Sequence, residues 1–176
     1  EWLEQRLDID ARAAPDIVGT MTDLSAVPIA SMDAIFSSHN IEHLYPHEVP
    51  VALAEFRRVL KPDGFLVITC PDLQQVCAII GEDKLTEPVY TSPAGPIAPI
   101  DILYGHRVQM AAGNLFMAHR CGFTQKVLTG TLLSQGFSNV ASAKRGHPYY
   151  DLWALASLIA LPESDMKSIA SQHFPL

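Results

Sequence analysis

The sequence predicts an α/β fold with a mostly parallel sheet and one antiparallel strand near the C-terminus. Residues 31–72 alternate between a strand pattern, a polar loop, an amphipathic helix, a tight turn and a second buried strand. This order is one βαβ unit, whose strands run parallel and whose crossover is right-handed. Residues 140–144 and 152–157 are strand-like runs joined by a short linker, so we expect them to end the sheet as an antiparallel pair.

The other elements follow from apolar spacing and turn residues. Short apolar runs predict strands at 6–9, 16–19, 32–37 and 65–70. A helix is expected from Pro46 or Pro50 to about Leu60, because proline suits the first helical turn and Leu53 and Phe56 recur at helical spacing. The residues Lys61-Pro62-Asp63-Gly64 would then stop it. Further helices are expected at 73–80 and 123–135.

The stretch 81–122 is punctuated by glycine and by prolines at 88, 93, 96 and 99, and it is too long for an ordinary loop. We interpret it as an inserted lid-like stretch or partner surface, with some helix around 100–111. The predicted organisation is one α/β domain at 1–161, which includes this insertion, followed by a polar C-terminal tail at 162–176.

Charge and composition narrow the class of partner. Twelve basic and nineteen acidic residues give a net charge of −7, which argues against nucleic acid and anionic membranes as partners. Cys70, Cys77 and Cys121 form no C-x-x-C pair, which indicates reduced thiols and a cytoplasmic protein. The longest apolar stretch, 152–161, is too short to cross a bilayer. The expected partner is therefore a small-molecule substrate.

Polar residues follow two of the predicted strands at the point where each ends. Ser37-Ser38-His39-Asn40 follows one strand, and Cys70-Pro71-Asp72 follows the next. Ligands of open parallel sheets bind beyond the carboxyl ends of the strands. The sequence therefore predicts a small-molecule site at this edge of the sheet.

Three stretches carry a resemblance to a known family: DIVGTMTDLSAVPIASMDAIFSSHNIEHL, AEFRRVLKPDGFLVIT and GFTQKVLTGTLLSQGF. Over roughly residues 6–156 the chain resembles the class I S-adenosylmethionine-dependent methyltransferases of the small "type 11" kind. The resemblance implies a Rossmann-like sheet with one antiparallel strand and S-adenosylmethionine bound at the strand ends. It implies methyl transfer to a small-molecule acceptor as the activity.

The same resemblance suggests which residues bind the cofactor. Asp8 matches the acid that accepts the ribose hydroxyls, a role that suits a carboxylate. Thr20 stands where the family has an acid for the adenine amino group, so Met21 and Asp23 are the substitute candidates. Ser38, His39 and Asn40 match the segment beside the methionine moiety and the reacting methyl group.

The chain departs from the family in a second and larger respect. It contains no G-x-G, although the family has a first strand and a glycine-rich loop before the position of Arg6. We therefore expect a truncated member, possessing little affinity for the cofactor. The strands at 6–9 and 32–37 would then either pair with each other or leave open edges, and an open edge favours a homodimer.

Three histidines are candidates for a general base during methyl transfer: His39, His106 and His119. Each also has a structural interpretation, because histidine often caps helices or packs in cores. Two other functions stay open. One is a non-catalytic interaction protein that uses the insertion. The other is a zinc hydrolase, because residues 39–43 spell H-x-x-E-H; with no third ligand evident in the sequence, we expect no metal.

Overall fold

A four-stranded sheet with helices on both faces forms the core of the computed structural model, which describes residues 2–175. The strands are β1 Leu7–Asp8, β2 Ile17–Val18, β3 Met32–Ser38, β4 Leu60–Pro71, β5 Tyr90–Ser92, β6 Gly95–Ile97, β7 Asn139–Arg145 and β8 Asp151–Ser157. The helices are α1 Val49–Val59, α2 Leu73–Gly81, α3 Pro99–Tyr104, α4 Arg107–Ala111, α5 Gln125–Ser134 and α6 Glu163–His173.

The strand order in the main sheet is β3-β4-β8-β7. Strands β3 and β4 pair in parallel, whereas β8 is antiparallel both to β4 and to β7. Only β8 therefore runs against the other strands of this sheet. The arrangement confirms the predicted α/β fold with a mostly parallel sheet and an antiparallel C-terminal strand.

Strand β4 packs on both faces, which explains its continuous apolar run. Leu66 and Ile68 point into a core shared with α1 and α5. Val67 points to the opposite face, where Met166 and Phe174 cover the sheet. Met166 belongs to α6, so this helix within residues 162–175 contributes apolar side chains to the second core.

The turn predicted at 61–64 is part of the irregular start of β4. Met32 pairs with Leu60 and Ala34 with Phe65, so the register shifts between the two pairs. Strand β4 therefore begins five residues before the predicted start of the strand. The predicted turn residues form a bulge beside β3 and do not end the pairing.

The two N-terminal strands form their own parallel ladder, with Leu7 opposite Ile17 and Asp8 opposite Val18. Within residues 2–175, β1 does not pair with β3. Two outcomes were predicted for these strands, pairing with each other or open edges, and the structure has open edges. Between β1 and β3 lies a cleft of about 720 Å³, whose walls include Leu7, Ala34 and Phe36.

The insertion at 81–122 contains the β5–β6 hairpin, α3, α4 and a 3-10 turn at Leu115–Met117. The helix expected around 100–111 is interrupted by Gly105, whose φ of 99° is unfavourable for other residues. Ile97 and Ile102 pack against Val76 of α2, so the insertion covers one side of that helix.

In the part of the chain from 2 to 175, the helices are all too short or too polar to cross a membrane.

Candidate active site

The chain leaves β3 through a sharp turn at the carboxyl edge of the sheet. The hydroxyl groups of Ser38 and Thr69 lie 3.2 Å apart across β3 and β4. The next amide, that of His39, donates a hydrogen bond to the Thr69 carbonyl oxygen at 3.0 Å. His39 itself has a φ of 50°, which turns the chain and places its imidazole above the strand ends.

The imidazole of His39 lies between two buried carboxylates. Its Nδ1 is 3.4 Å from Oε1 of Glu42, and its Nε2 is 3.8 Å from Oδ2 of Asp151. Burial alone would lower the pKa of His39, but Asp151 and Glu42 outweigh it and raise that pKa to about 9. His39 therefore carries a positive charge at neutral pH in this environment.

Asp151 reaches this edge because β8 is antiparallel. Its partner in the ladder is Pro71, the last residue of β4, so the amino end of β8 meets the carboxyl ends of the parallel strands. Arg145 forms an ion pair with Asp151 from the neighbouring end of β7. Sequence reasoning placed Asp151 in a linker and missed it; an acid directly before a buried apolar run was the available signal.

Glu42 is almost fully buried, with an exposed fraction of 1%. It lies in the 3-10 turn Ile41–His43, and its backbone carbonyl oxygen accepts hydrogen bonds from the amides of Arg120 and Cys121. The turn after β3 is thereby joined to the end of the insertion. Neither carboxylate oxygen of Glu42 accepts a hydrogen bond from any of residues 2–175.

His43 and His119 lie beside Glu42 with their rings edge to face, 4.8 Å between centroids. The Nδ1 atom of His43 is 3.1 Å from the Ala118 carbonyl oxygen, and that of His119 is 2.7 Å from the Ile102 carbonyl oxygen. Both Nδ1 atoms are therefore hydrogen-bond donors. Burial lowers the pKa of His119, which favours its neutral form.

A cavity of about 410 Å³ opens next to these groups, within the size range of small-molecule sites. Its walls include His39, His106 and His119, so the structure brings all three candidate bases to one cavity. The Nδ1 atom of His106 is buried and has no partner among the described residues. Tyr90, Tyr149 and Tyr150 line the same space.

The candidate cofactor residues lie along the carboxyl ends of β1, β2 and β3. The hydroxyl of Ser37 donates to the sulfur of Met21 at 3.8 Å, and both line a smaller cavity of about 170 Å³ together with Asn40. The backbones of Thr20 and Asp23 pair as a single antiparallel β-bridge in the loop after β2. Their predicted contacts with a cofactor stay predictions.

Asp8 lies apart from this cavity, at the end of β1, where it lines the 720 Å³ cleft. One of its carboxylate oxygens accepts the amide of Asp10 at 2.8 Å. Its role as a ribose ligand also stays a prediction.

Residues 4–68 match a family described as "Methyltransferase domain". No curated protein sequence matches the chain.

Solved structures resemble the whole fold. A methyltransferase from Thermotoga maritima, described as a possible histamine N-methyltransferase, superposes with a TM-score of 0.56 at 14% identity; the match covers 87% of this chain and 72% of that one. A methyltransferase from Archaeoglobus fulgidus gives 0.55 at 14% identity, covering 85% and 73%.

A third structure is the Burkholderia thailandensis 1,6-didemethyltoxoflavin-N1-methyltransferase, bound to 1,6-didemethyltoxoflavin and S-adenosylhomocysteine. Its TM-score is 0.52 at 16% identity, and the match covers 85% of this chain and 58% of that chain. At these identities the likeness concerns the fold.

Proposed function

We propose that this chain, which has the fold of the class I S-adenosylmethionine-dependent methyltransferases, transfers a methyl group from that cofactor to a small molecule. The cavity of about 410 Å³ at the carboxyl edge of the sheet is the observation on which the proposal rests. Ligands of parallel sheets bind at this edge, and His39 forms part of the cavity wall directly after β3. The match of residues 4–68 to a methyltransferase domain supports the proposal.

The residues at the strand ends suit parts of the cofactor. Asp8 would accept the ribose hydroxyls, since among the described residues only one of its two carboxylate oxygens is engaged, by the Asp10 amide. Ser38 and Asn40 would lie beside the methionine moiety. The cofactor, when bound, supplies an activated methyl group on a sulfonium.

An acceptor that carries a proton also requires a base. Both ring nitrogens of His39 face carboxylates, which leaves neither available for a proton from the acceptor. His119 donates its Nδ1 proton to a backbone carbonyl group, and burial lowers its pKa, which makes its other ring nitrogen a weaker base. His106 lines the cavity, and its buried Nδ1 has no partner among the described residues, so we assign it the role of base.

The acceptor class is a small molecule, because the cavity volume fits one and because the net charge of −7 disfavours nucleic acid. The Burkholderia enzyme, which binds 1,6-didemethyltoxoflavin, supports this class by analogy of fold.

The test is transfer of an isotopically labelled methyl group from S-adenosylmethionine to a panel of small hydroxyl, amine and ring-nitrogen acceptors. The cofactor is supplied at millimolar concentration, because we expect weak binding. His106→Asn should lower the transfer rate about 100-fold, within the range typical of general bases. His47→Asn, an exposed histidine outside the cavity, should leave it unchanged.

Failure of the folded chain to methylate any member of the panel at millimolar cofactor would contradict the proposal. It would favour the non-catalytic interaction protein.

A further inference from the structure

Glu42 poses an energetic problem that its protein neighbours do not solve. Its side chain is 1% exposed, and none of the described residues donates a hydrogen bond to its two carboxylate oxygens. The imidazole of His39 is beside it, with Nδ1 3.4 Å from Oε1 but in an unfavourable geometry for a hydrogen bond. A buried carboxylate without hydrogen bonds is costly, and an ion bound beside it would remove the cost.

Two imidazoles beside Glu42 are oriented as metal ligands are. His43 and His119 each place Nδ1 within 3.1 Å of a backbone carbonyl oxygen, which fixes the proton on that nitrogen. The Nε2 atom of each ring then carries a free lone pair. Metal-binding histidines almost always have such a second partner, because it fixes the tautomer and the orientation of the ring.

We propose that Glu42, His43 and His119 bind a divalent transition-metal ion, with Zn²⁺ the ion that best suits the set. One ligand atom from each residue lies within 4.8 Å of the other two. Atoms bound to one tetrahedral zinc are about 3.4 Å apart, so small side-chain rotations complete the site. Two imidazoles and one carboxylate match zinc, whereas Mg²⁺ and Ca²⁺ prefer oxygen ligands.

The site is of the kind that binds a further ligand. Three protein ligands leave a tetrahedral zinc with one open position, whereas structural zinc sites use four. All three residues line the cavity of about 410 Å³, so the open position faces that space. A water molecule or an anionic oxygen of a bound small molecule would occupy it.

This ligand set differs from the zinc hydrolase considered above. The H-x-x-E-H pattern uses both of its histidines as ligands from one helix, but Ile41–His43 is a 3-10 turn and both nitrogens of His39 face carboxylates. The third ligand is His119, at the far end of the insertion. Sequence reasoning expected no metal because nothing in the sequence shows that His119 lies beside His43.

The experiment uses the whole chain without an affinity tag, freed of metal by a chelator. Titration with Co²⁺, a spectroscopic substitute for zinc, is followed by visible absorption, and zinc affinity is measured by competition. We expect one ion per chain, intense absorption bands typical of four-coordinate cobalt, and no displacement by millimolar Mg²⁺. Glu42→Gln and His119→Asn should each weaken binding at least about 100-fold, as expected when a ligand is lost.

The matched control is His47→Asn, which removes an exposed histidine and should bind cobalt as the wild type does. Circular dichroism establishes that each variant is folded. If both ligand variants fail to fold, the wild-type stoichiometry and cobalt spectrum decide.

A folded wild-type chain that binds no ion at tens of micromolar would overturn the proposal, as would unchanged binding in a folded ligand variant. The titration requires no S-adenosylmethionine, so its result is independent of the methyl-transfer assay.

Discussion

The carboxylate of Asp151 lies 3.8 Å from Nε2 of His39, although the two residues come from strand ends of opposite direction. His39 follows the carboxyl end of β3, and Asp151 begins β8. The same carboxylate forms an ion pair with Arg145, and its side chain is only 3% exposed. Because β8 is antiparallel, its first residue, Asp151, places a negative charge at the edge of the sheet where the parallel strands end.

We expect Asp151→Asn to lower the free energy of unfolding by about 3 kcal/mol. The substitution leaves the guanidinium of Arg145 largely buried without its charged partner, which is the costly way to break such a pair. Denaturant unfolding measures the change. In the matched control, Asp33→Asn removes a 64% exposed partner of Lys61 and should cost less than about 1 kcal/mol. Equal effects in the two variants would show that burial does not strengthen the Asp151 pair.

Asp101 should make the insertion sensitive to acid. Burial opposes its ionisation, but hydrogen bonds from the Arg107 side chain and from the amides of Ala98 and Arg107 outweigh it and lower the pKa of Asp101 below 3.8. A lowered pKa in the folded state stabilises the protein above about pH 3.8 and loses that contribution as the pH falls through the folded value.

Asp101→Asn should therefore destabilise the chain at pH 7 by about 1–3 kcal/mol, because a charged acceptor of several hydrogen bonds is lost. The difference between variant and wild type should shrink as the pH falls below 3.8. Unfolding curves at a series of pH values test this. A difference that stays constant down to pH 2 would be inconsistent with the lowered pKa.

Gly105 is required where α3 ends. Its φ is 99°, and a Cβ atom there would lie 1.9 Å from the Met117 carbonyl oxygen. Gly105→Ala should therefore cost about 3 kcal/mol or more, since both backbone strain and a clash oppose it.

Gly113→Ala is the control that separates these two causes. Gly113 has a φ of 92°, but its Cβ would have open space around it. It should cost about 1–2 kcal/mol from strain alone. Thermal unfolding of both variants measures the difference. Similar melting temperatures would mean that the approach of Met117 to Gly105 is not a constraint.

The fold was predictable where local patterns determine it. The run 65–70 is short, apolar, rich in β-branched residues and bounded by turn residues, so it was predicted as a buried parallel strand. The site was predictable only in part. His39 follows a strand directly, whereas Asp151 and His119 reach it through strand order and through the path of the insertion. Contacts of this kind depend on tertiary packing, which periodicity does not encode.

We expect this 176-residue chain to bind S-adenosylmethionine weakly, with a dissociation constant in the millimolar range or above. It has no G-x-G, and close approach of a backbone to the cofactor depends on such glycines. Calorimetric titration is the measurement. Any binding observed should fall further in Asp8→Ala and not in Asp33→Asn. Micromolar affinity would show that other residues replace the glycine-rich loop.

The last prediction concerns the open edge of β3. Among residues 2–175 this strand has no partner on the side that faces the 720 Å³ cleft, and Phe36, which is 62% exposed, lines that cleft. Unpaired backbone groups beside apolar side chains favour pairing with another chain. We therefore expect a dimer of the 19.3 kDa chain at tens of micromolar, about the range of weak dimers.

Light scattering measures the mass of the wild type and of two variants that each place a glutamate at an exposed apolar position. Phe36→Glu should shift the mass towards the monomer, because the charge would be buried at the dimer interface. Val108→Glu changes the 68% exposed Val108 in α4, away from this edge, and should leave the mass unchanged. A wild-type monomer at tens of micromolar, or an equal shift in both variants, would show that the open edge of β3 does not drive self-association.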